Sequence, residues 1–342
     1  MNTIHGLGLP LIPFRYAQAC RFFIGGNEMH HILSAAVLLV AGIFLVAKGG
    51  DRFVDSASWI ARAAGIPAFI IGATIVSIAT TLPEITVSVM AAMQGSTELA
   101  AGNAVGTVIS NTGLILGIAF FFMNVTIRRS DYLVQSLLLI FSAAVIWWGC
   151  QNGFLSTPAT LLLMLFFFIF VYRNLSAGRQ HTRETREHMD TSRRNIIRNM
   201  LGFFFGAAAI LIGSRLMVFG GTSLAQLLGI PERIIGITVV AVGTSIPELV
   251  TTLAAIRKNE HDLSAGNIIG ANILDLTLIL PLCSLASGKP LPVAPSAVTF
   301  DLPACLLITL IGILPLLIRE KAGRIQGLLL LASYAAYLVV IL

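Results

Sequence analysis

The sequence predicts an all-α integral membrane protein, with about ten transmembrane helices arranged as two inverted five-helix repeats. Three observations carry this expectation. Hydrophobic residues make up 56% of the 342 and charged residues 11%, with a mean hydropathy of +0.88, whereas a soluble chain is nearer half apolar and about a quarter charged. The apolar residues fall in runs of about twenty, the length a helix needs to cross a bilayer, and not in the ten-residue alternation of barrel strands. One long stretch of the chain is also written twice.

In chain order the apolar runs place spans at 32–50, 66–93, 99–125, 132–149, 156–173, 200–226, 232–256, 263–286, 296–318 and 325–342. Residues 1–30 form an N-terminal extension. They hold Arg15 and Arg21 but no small-residue cleavage site, so a secretory signal is not expected, and Met29 is an alternative start. The first repeat is expected over 31–173 and the second over 200–342. Between them 174–199, NLSAGRQHTRETREHMDTSRRNIIRN, is the one long polar connection. It reads as a solvated cytoplasmic linker that is too short for a separate domain.

Basic residues set the orientation. Lys48, Arg52 and Arg62 lie at or after the end of the first span, Arg128 and Arg129 after the third, and Arg257 and Lys258 after the seventh. Arg319, Lys321 and Arg324 follow the ninth, and seven arginines between Arg173 and Arg198 follow the fifth. The opposite side holds Arg15, Arg21, Arg233 and Lys289. Positive charge marks the cytoplasmic side, so both termini are expected to face outward. Arg215 lies inside span six, close enough to its end to snorkel. Cys20, Cys150, Cys283 and Cys305 lack any C-x-x-C spacing and read as small apolar helix residues.

The duplication lies in two pairs of segments. GIPAFIIGATIVSIATTLPEI from Gly65 matches GIPERIIGITVVAVGTSIPEL from Gly229. ELAAGNAVGTVISNTGLIL from Glu98 matches DLSAGNIIGANILDLTLIL from Asp262. Both pairs are 164 residues apart, with no gap between them. The offset spans five crossings, an odd number, so the second copy enters the membrane from the opposite side. Secondary transporters use this architecture, with the ion site near the midplane where the copies meet.

The shared segments concentrate polar residues. Glu84 and Glu248 are equivalent, as are Asn111 and Asp275. Each acid at mid-bilayer costs about 2.5–3.5 kcal/mol, so three approach the stability of a whole domain and point to an ion path. Ser77, Thr80, Thr81 and Glu84 fall on one helical face, and Ala241, Thr244, Ser245 and Glu248 repeat it. Asn103, Thr107 and Asn111 are four apart, as are Asn267, Ala271 and Asp275. Pro83 and Pro247 lack an N–H, so the carbonyls near Ala79 and Gly243 lose their usual donor. Carboxylate, hydroxyl, amide and carbonyl oxygens form a hard donor set that suits Ca2+ and Na+ and does not suit zinc or copper. Gly102-x-x-x-Gly106 and Gly266-x-x-x-Gly270 are small-residue patterns for close helix packing.

These motifs resemble the two α repeats of the calcium/cation antiporter superfamily, most closely its bacterial sodium/calcium exchangers. The resemblance is specific over 65–117 and 229–281. It implies that Glu84 and Glu248 chelate Ca2+ together, with Asp275 and Asn111. Thr80, Thr81, Thr244, Ser245 and Thr107 would add hydroxyls, and Ser77 and Ala241 backbone carbonyls. It further implies alternating access by sliding of the first and sixth spans. The implied partners are transported Ca2+ and Na+ and the lipid bilayer, with no bound cofactor, no nucleic acid and no obligatory protein partner. Two positions depart from the family pattern: Gly106-Thr107-Val108 stands where the family has G-S-N, and Ala271 removes a hydroxyl that would serve sodium.

Proton/Ca2+ exchange on the same fold is the alternative, since burial lets a carboxyl take up protons. The G-N-x-x-E-H pattern of proton-coupled relatives is absent, with GNAVGT and GNIIGA in its place. A cation sensor or scaffold would need appended domains that the short loops leave no room for. No H-E-x-x-H, G-x-S-x-G or paired aspartate motif suggests an enzyme.

Overall fold

The computed structural model describes residues 28–123, 125–126, 129–181, 192–228, 243 and 245–341. They are almost entirely helical. We number the helices α1 (Glu28–Ala64), α2 (Ala68–Met93), α3 (Thr97–Phe122), α4 (Arg129–Gly149), α5 (Thr157–His181), α6 (Arg193–Leu227), α7 (Ile246–Lys258), α8 (His261–Ser287), α9 (Ala297–Arg319) and α10 (Arg324–Ile341). Among the described residues nine are long and apolar enough to span a bilayer, all but α7. The stretch 229–242, where the first half of the expected seventh span falls, lies outside the described residues. Helices α5 and α6 continue into the polar stretch 174–199, to His181 and from Arg193. The chain is a multi-pass membrane protein.

Lipid-facing and core-facing helices separate by composition. α1, α5, α6 and α10 expose Val40, Phe44, Phe168, Phe204, Phe205 and Val339, side chains that water would not tolerate in such density. α8 is apolar on nearly every side and is buried at every position from 263 to 277, as a helix enclosed by other helices must be. It packs against α2, α3, α4, α5 and α7.

Helix α2 lies along α8 in backbone contact. Gly266 abuts the carbonyl of Phe69 and Gly72 that of Leu263, and a Cβ at Gly270 would sit 2.6 Å from the oxygen of Ala73. This is the close approach expected of the small-residue pattern. At the counterpart pair Gly102 and Gly106, nothing among the described residues lies within 4 Å of a Cβ built there. The segment equivalent to the start of α2 falls in 229–242.

The repeat is written into the backbone as well. A π-helical turn starts at Asn111 in α3 (Asn111–Leu116) and another at Asp275 in α8 (Asp275–Ile279), positions 164 residues apart. The connection after α3 (β1, Val125–Thr126) pairs with the one after α9 (β2, Lys321–Ala322). At the other ends of α4 and α9, Phe154 bridges to Pro292. The same two kinds of loop therefore meet at both ends of the helices, as an inverted repeat requires. We call the end carrying β1 and β2 the basic face, since Arg319, Lys321 and Arg324 lie there.

Helices α1 and α6 form an antiparallel pair that runs along the outside of this core. Their contacts repeat every seven residues: Ala35 with Gly220, Gly42 with Gly213, Gly49 with Gly206. Added to 42 and 49, the 164-residue offset gives 206 and 213, so Gly42 is the counterpart of Gly206 and Gly49 of Gly213. Each contact is thus the image of the other under the repeat. The duplication extends to these helices, beyond the stretches in which sequence identity is obvious.

Candidate functional site

Among the described residues, the middle of the core holds acids without bases. Glu84 and Asp275 are fully buried and Glu248 is 1% exposed. No Lys, Arg or His among the described residues is buried. Arg215, within the span of α6, is exposed and cannot neutralise them. All six carboxylate oxygens lack a hydrogen-bond partner. An unpaired buried charge costs so much that it either gains a proton or meets a cation.

Local structure explains how the acids reach this depth. Glu84 follows Pro83 within the continuous helix α2, so its side chain projects beside a turn whose hydrogen bonding the proline interrupts. In the second copy the described helix begins at Ile246, with Pro247 in its first turn, where a missing N–H costs nothing. Glu248 therefore stands at a helix N-terminus, the positive end of its dipole. Asp275 opens the π-helical turn of α8, a distortion that frees backbone groups and often marks functional positions. Asn111 opens the equivalent turn of α3.

The three acids influence one another electrostatically. Glu84 lies within electrostatic range of Glu248 and Asp275, and Asp275 of Glu248. Glu248 sits beside the hydroxyls of Thr80 and Thr81, without a hydrogen bond of ordinary geometry to either. Around them Thr81 Oγ1, Ser245 Oγ and both amide atoms of Asn111 are buried without partners. Ser77 is buried, donates to Thr74 O at 3.0 Å, and its own carbonyl accepts from Thr80 Oγ1 at 3.3 Å. Thr107 is buried in α3. Ala241 and Thr244 lie outside the described residues. Among the described residues no three His, Cys, Asp or Glu form a ready metal cage by themselves, so neutral oxygens must complete any coordination shell.

Two cross-repeat contacts were not foreseen as site features. Thr80 Oγ1 reaches Asn267 Oδ1 of α8 at 3.2 Å, and Asn272 Nδ2 donates to Thr112 Oγ1 at 2.8 Å. Asn267 was visible as the first member of the four-apart series ending at Asp275, but spacing alone does not say which helix it meets. A separate cavity of about 240 Å3 is lined by Glu98, Gly102, Asp301 and Tyr337 among others, and by none of the three buried acids.

Comparison with known proteins bears on this arrangement. The family described as "Sodium/calcium exchanger protein" matches residues 34–175 and 198–342. The chain belongs to the sodium/calcium exchanger family. It is 35% identical over 319 residues to the Escherichia coli "Inner membrane protein YrbG", covering 91% of this chain and 97% of that one. It is 32% identical to "Sodium/calcium exchanger MaX1" of Methanosarcina acetivorans, over 89% and 97% of the two chains. A solved structure of the sodium-calcium exchanger NCX_Mj, soaked with Na+ and zero Ca2+, superposes with a TM-score of 0.78 at 30% identity, covering 90% and 99%. The family's matched span includes α1 and α6, in accord with the glycine contacts that extend the repeat to them.

Proposed function

We propose that this chain is a secondary antiporter that exchanges Na+ for Ca2+, with Glu84, Glu248 and Asp275 as the shared cation ligands. The observation that carries this reading is a set of three buried carboxylates, drawn from both halves of the repeat, with six unpartnered oxygens and, among the described residues, no buried base. Asn111, Thr80, Thr81, Ser245, Thr107 and Thr244, with the carbonyls of Ser77 and Ala241, complete the proposed donor set. Oxygen ligands alone suit these two ions.

The same electrostatics supplies coupling. With cations bound, the site is compensated and the protein can rearrange. Empty, it leaves three like charges in a dry core, and rearrangement is disfavoured. Ligand-free crossing is thereby suppressed, and the two ions compete for one set of oxygens. The distribution of basic residues supports a cytoplasmic placement of the basic face, in a bacterial cytoplasmic membrane with both termini outside.

Vesicle flux tests this directly. Purified protein reconstituted with Na+ inside should take up external Ca2+ when the outside is Na+-free, and collapsing the Na+ gradient should stop it. Uptake that follows a pH gradient and ignores Na+ would transfer the reading to proton/Ca2+ exchange. Ca2+ binding without flux would make the protein a sensor.

A further inference from the structure

Three ion pairs cross from the basic-face end of α1 to the α7–α8 turn. Arg62 Nη1 meets Glu260 Oε1 at 3.0 Å, Arg257 Nη1 meets Asp51 Oδ1 at 3.4 Å, and Lys258 Nζ meets Asp55 Oδ1 at 2.6 Å. All three join the α1–α6 pair to the core that holds Glu248. Arg52 adds a hydrogen bond to the carbonyl of Arg198, tying α1 to the start of α6 at the same end. The partners alternate in sign, with two acids and one base on α1 facing two bases and one acid across the gap.

In an inverted repeat this junction has an image at the opposite face, where the end of α6 meets the α2–α3 turn. The 164-residue offset names its members. Asp51, Asp55 and Arg62 become Arg215, Phe219 and Gln226, while Arg257, Lys258 and Glu260 become Met93, Gln94 and Ser96. Five of these six carry no charge, so no ion pair can form among them. The two halves share a fold, yet among the described residues these three pairs have no charged counterpart at the opposite face.

We propose that these three pairs are an electrostatic latch that favours the arrangement with the basic face closed, so that the exchanger rests with its site opening to the opposite side. The naming of the closed face as cytoplasmic rests on the orientation argued above, but the latch does not. Exposed pairs are individually weak, each shifting an equilibrium about 1.4- to 5-fold, so three together shift it roughly tenfold. That is enough to set a resting preference and too little to block turnover. Because the pairs are partly solvated, salt weakens them.

Hydrogen exchange on the full-length protein in lipid nanodiscs reads the latch whether or not Ca2+ is the cargo. In the triple variant Asp51→Asn, Asp55→Asn, Glu260→Gln, amides over 51–62 and 257–264 should exchange roughly tenfold faster, with α3, α4 and α9 unchanged. Reversing one pair, Asp55→Lys with Lys258→Asp, should stay near the wild-type rate, while either reversal alone should match or exceed the effect of neutralising that pair. Unaltered exchange in the triple variant overturns the proposal, as does faster exchange spread evenly over all helices or a double reversal no slower than its single members. Flux from vesicles of sorted orientation adds a second measure: the ratio of half-saturating Ca2+ concentrations at the two faces should move roughly tenfold in the triple variant. A wild-type protein that carries no Ca2+ would sink the functional reading and leave the exchange experiment standing.

Discussion

Gly42 and Gly213 touch through their backbones. A Cβ built on Gly42 would lie 2.7 Å from the carbonyl oxygen of Gly213, and one built on Gly213 would lie 2.9 Å from that of Gly42. Neither carbonyl can move without disturbing its helix. Gly213→Ala should therefore separate α1 from α6 and lower stability by about 1–3 kcal/mol, the usual effect of overpacking. Thermal unfolding in detergent measures this. Val40→Ala, on the exposed side of α1, should change stability by less than about 0.5 kcal/mol.

Neutralising the buried acids should separate transport from stability. Glu84→Gln, Glu248→Gln and Asp275→Asn each remove a ligand charge, and Na+-driven Ca2+ uptake should fall below detection. Each also removes an unpaired charge from the core, so in buffer free of Ca2+ and Na+ the variants should unfold at or above the wild-type temperature. Added Ca2+ at a hundred times its dissociation constant should stabilise the wild type by about 2.7 kcal/mol and the Glu84→Gln variant far less. A wild type indifferent to both ions, or variants that unfold well below it without ions, would argue for a structural role for these carboxylates.

Thr80 links the two halves of the repeat beside the site, through its 3.2 Å contact with Asn267. Both side chains are buried; Asn267 accepts through Oδ1, and its Nδ2 has no hydrogen-bond partner. In a double-mutant cycle of Thr80→Val and Asn267→Leu, the first change leaves Asn267 Oδ1 without its donor, the second leaves Thr80 Oγ1 only its 3.3 Å bond to Ser77 O, and the double change removes both groups. The coupling energy should be about 0.5–1.5 kcal/mol in stability. Additive effects would mean that the contact contributes nothing.

Much of this arrangement is legible in the chain because polar residues in a bilayer are rare and their spacing is unambiguous. Glu84, Glu248 and Asp275 stand out against apolar runs, and the constant offset between copies identifies their counterparts. The α1–α6 contact was harder to find. Its glycines at 42 and 49, and at 206, 213 and 220, recur every seven residues, but few flanking identities join the two helices, and glycine is common in membrane helices for many reasons. In the sequence, the members of the α1 ion pairs with the α7–α8 turn read only as charges that fix orientation. Their pairing needs the tertiary fold, since the partners lie about two hundred residues apart in sequence. Nor does the sequence mark the π-helical turns at Asn111 and Asp275, where the backbone change follows from packing.

Ala271 offers the sharpest test of how the two copies differ. Its counterpart Thr107 carries a hydroxyl four residues before Asn111, whereas Ala271 carries none four residues before Asp275. Both are buried. In the proposed site, the second copy thus pairs an extra charge with one fewer hydroxyl, an exchange expected to favour a divalent ion over a second monovalent one. Ala271→Ser adds one oxygen atom and no new branch, so the core should accept it for less than about 1.5 kcal/mol. Interaction of a polar group with a charged partner contributes about 1.5–3 kcal/mol, from which part is lost in dehydrating the hydroxyl, leaving about a tenfold gain. The concentration of Na+ that half-inhibits Ca2+ uptake should fall by that factor, with the half-saturating Ca2+ concentration changed much less. Equal shifts for both ions would indicate a general repacking of the site, and no shift for Na+ would place position 271 outside its coordination shell.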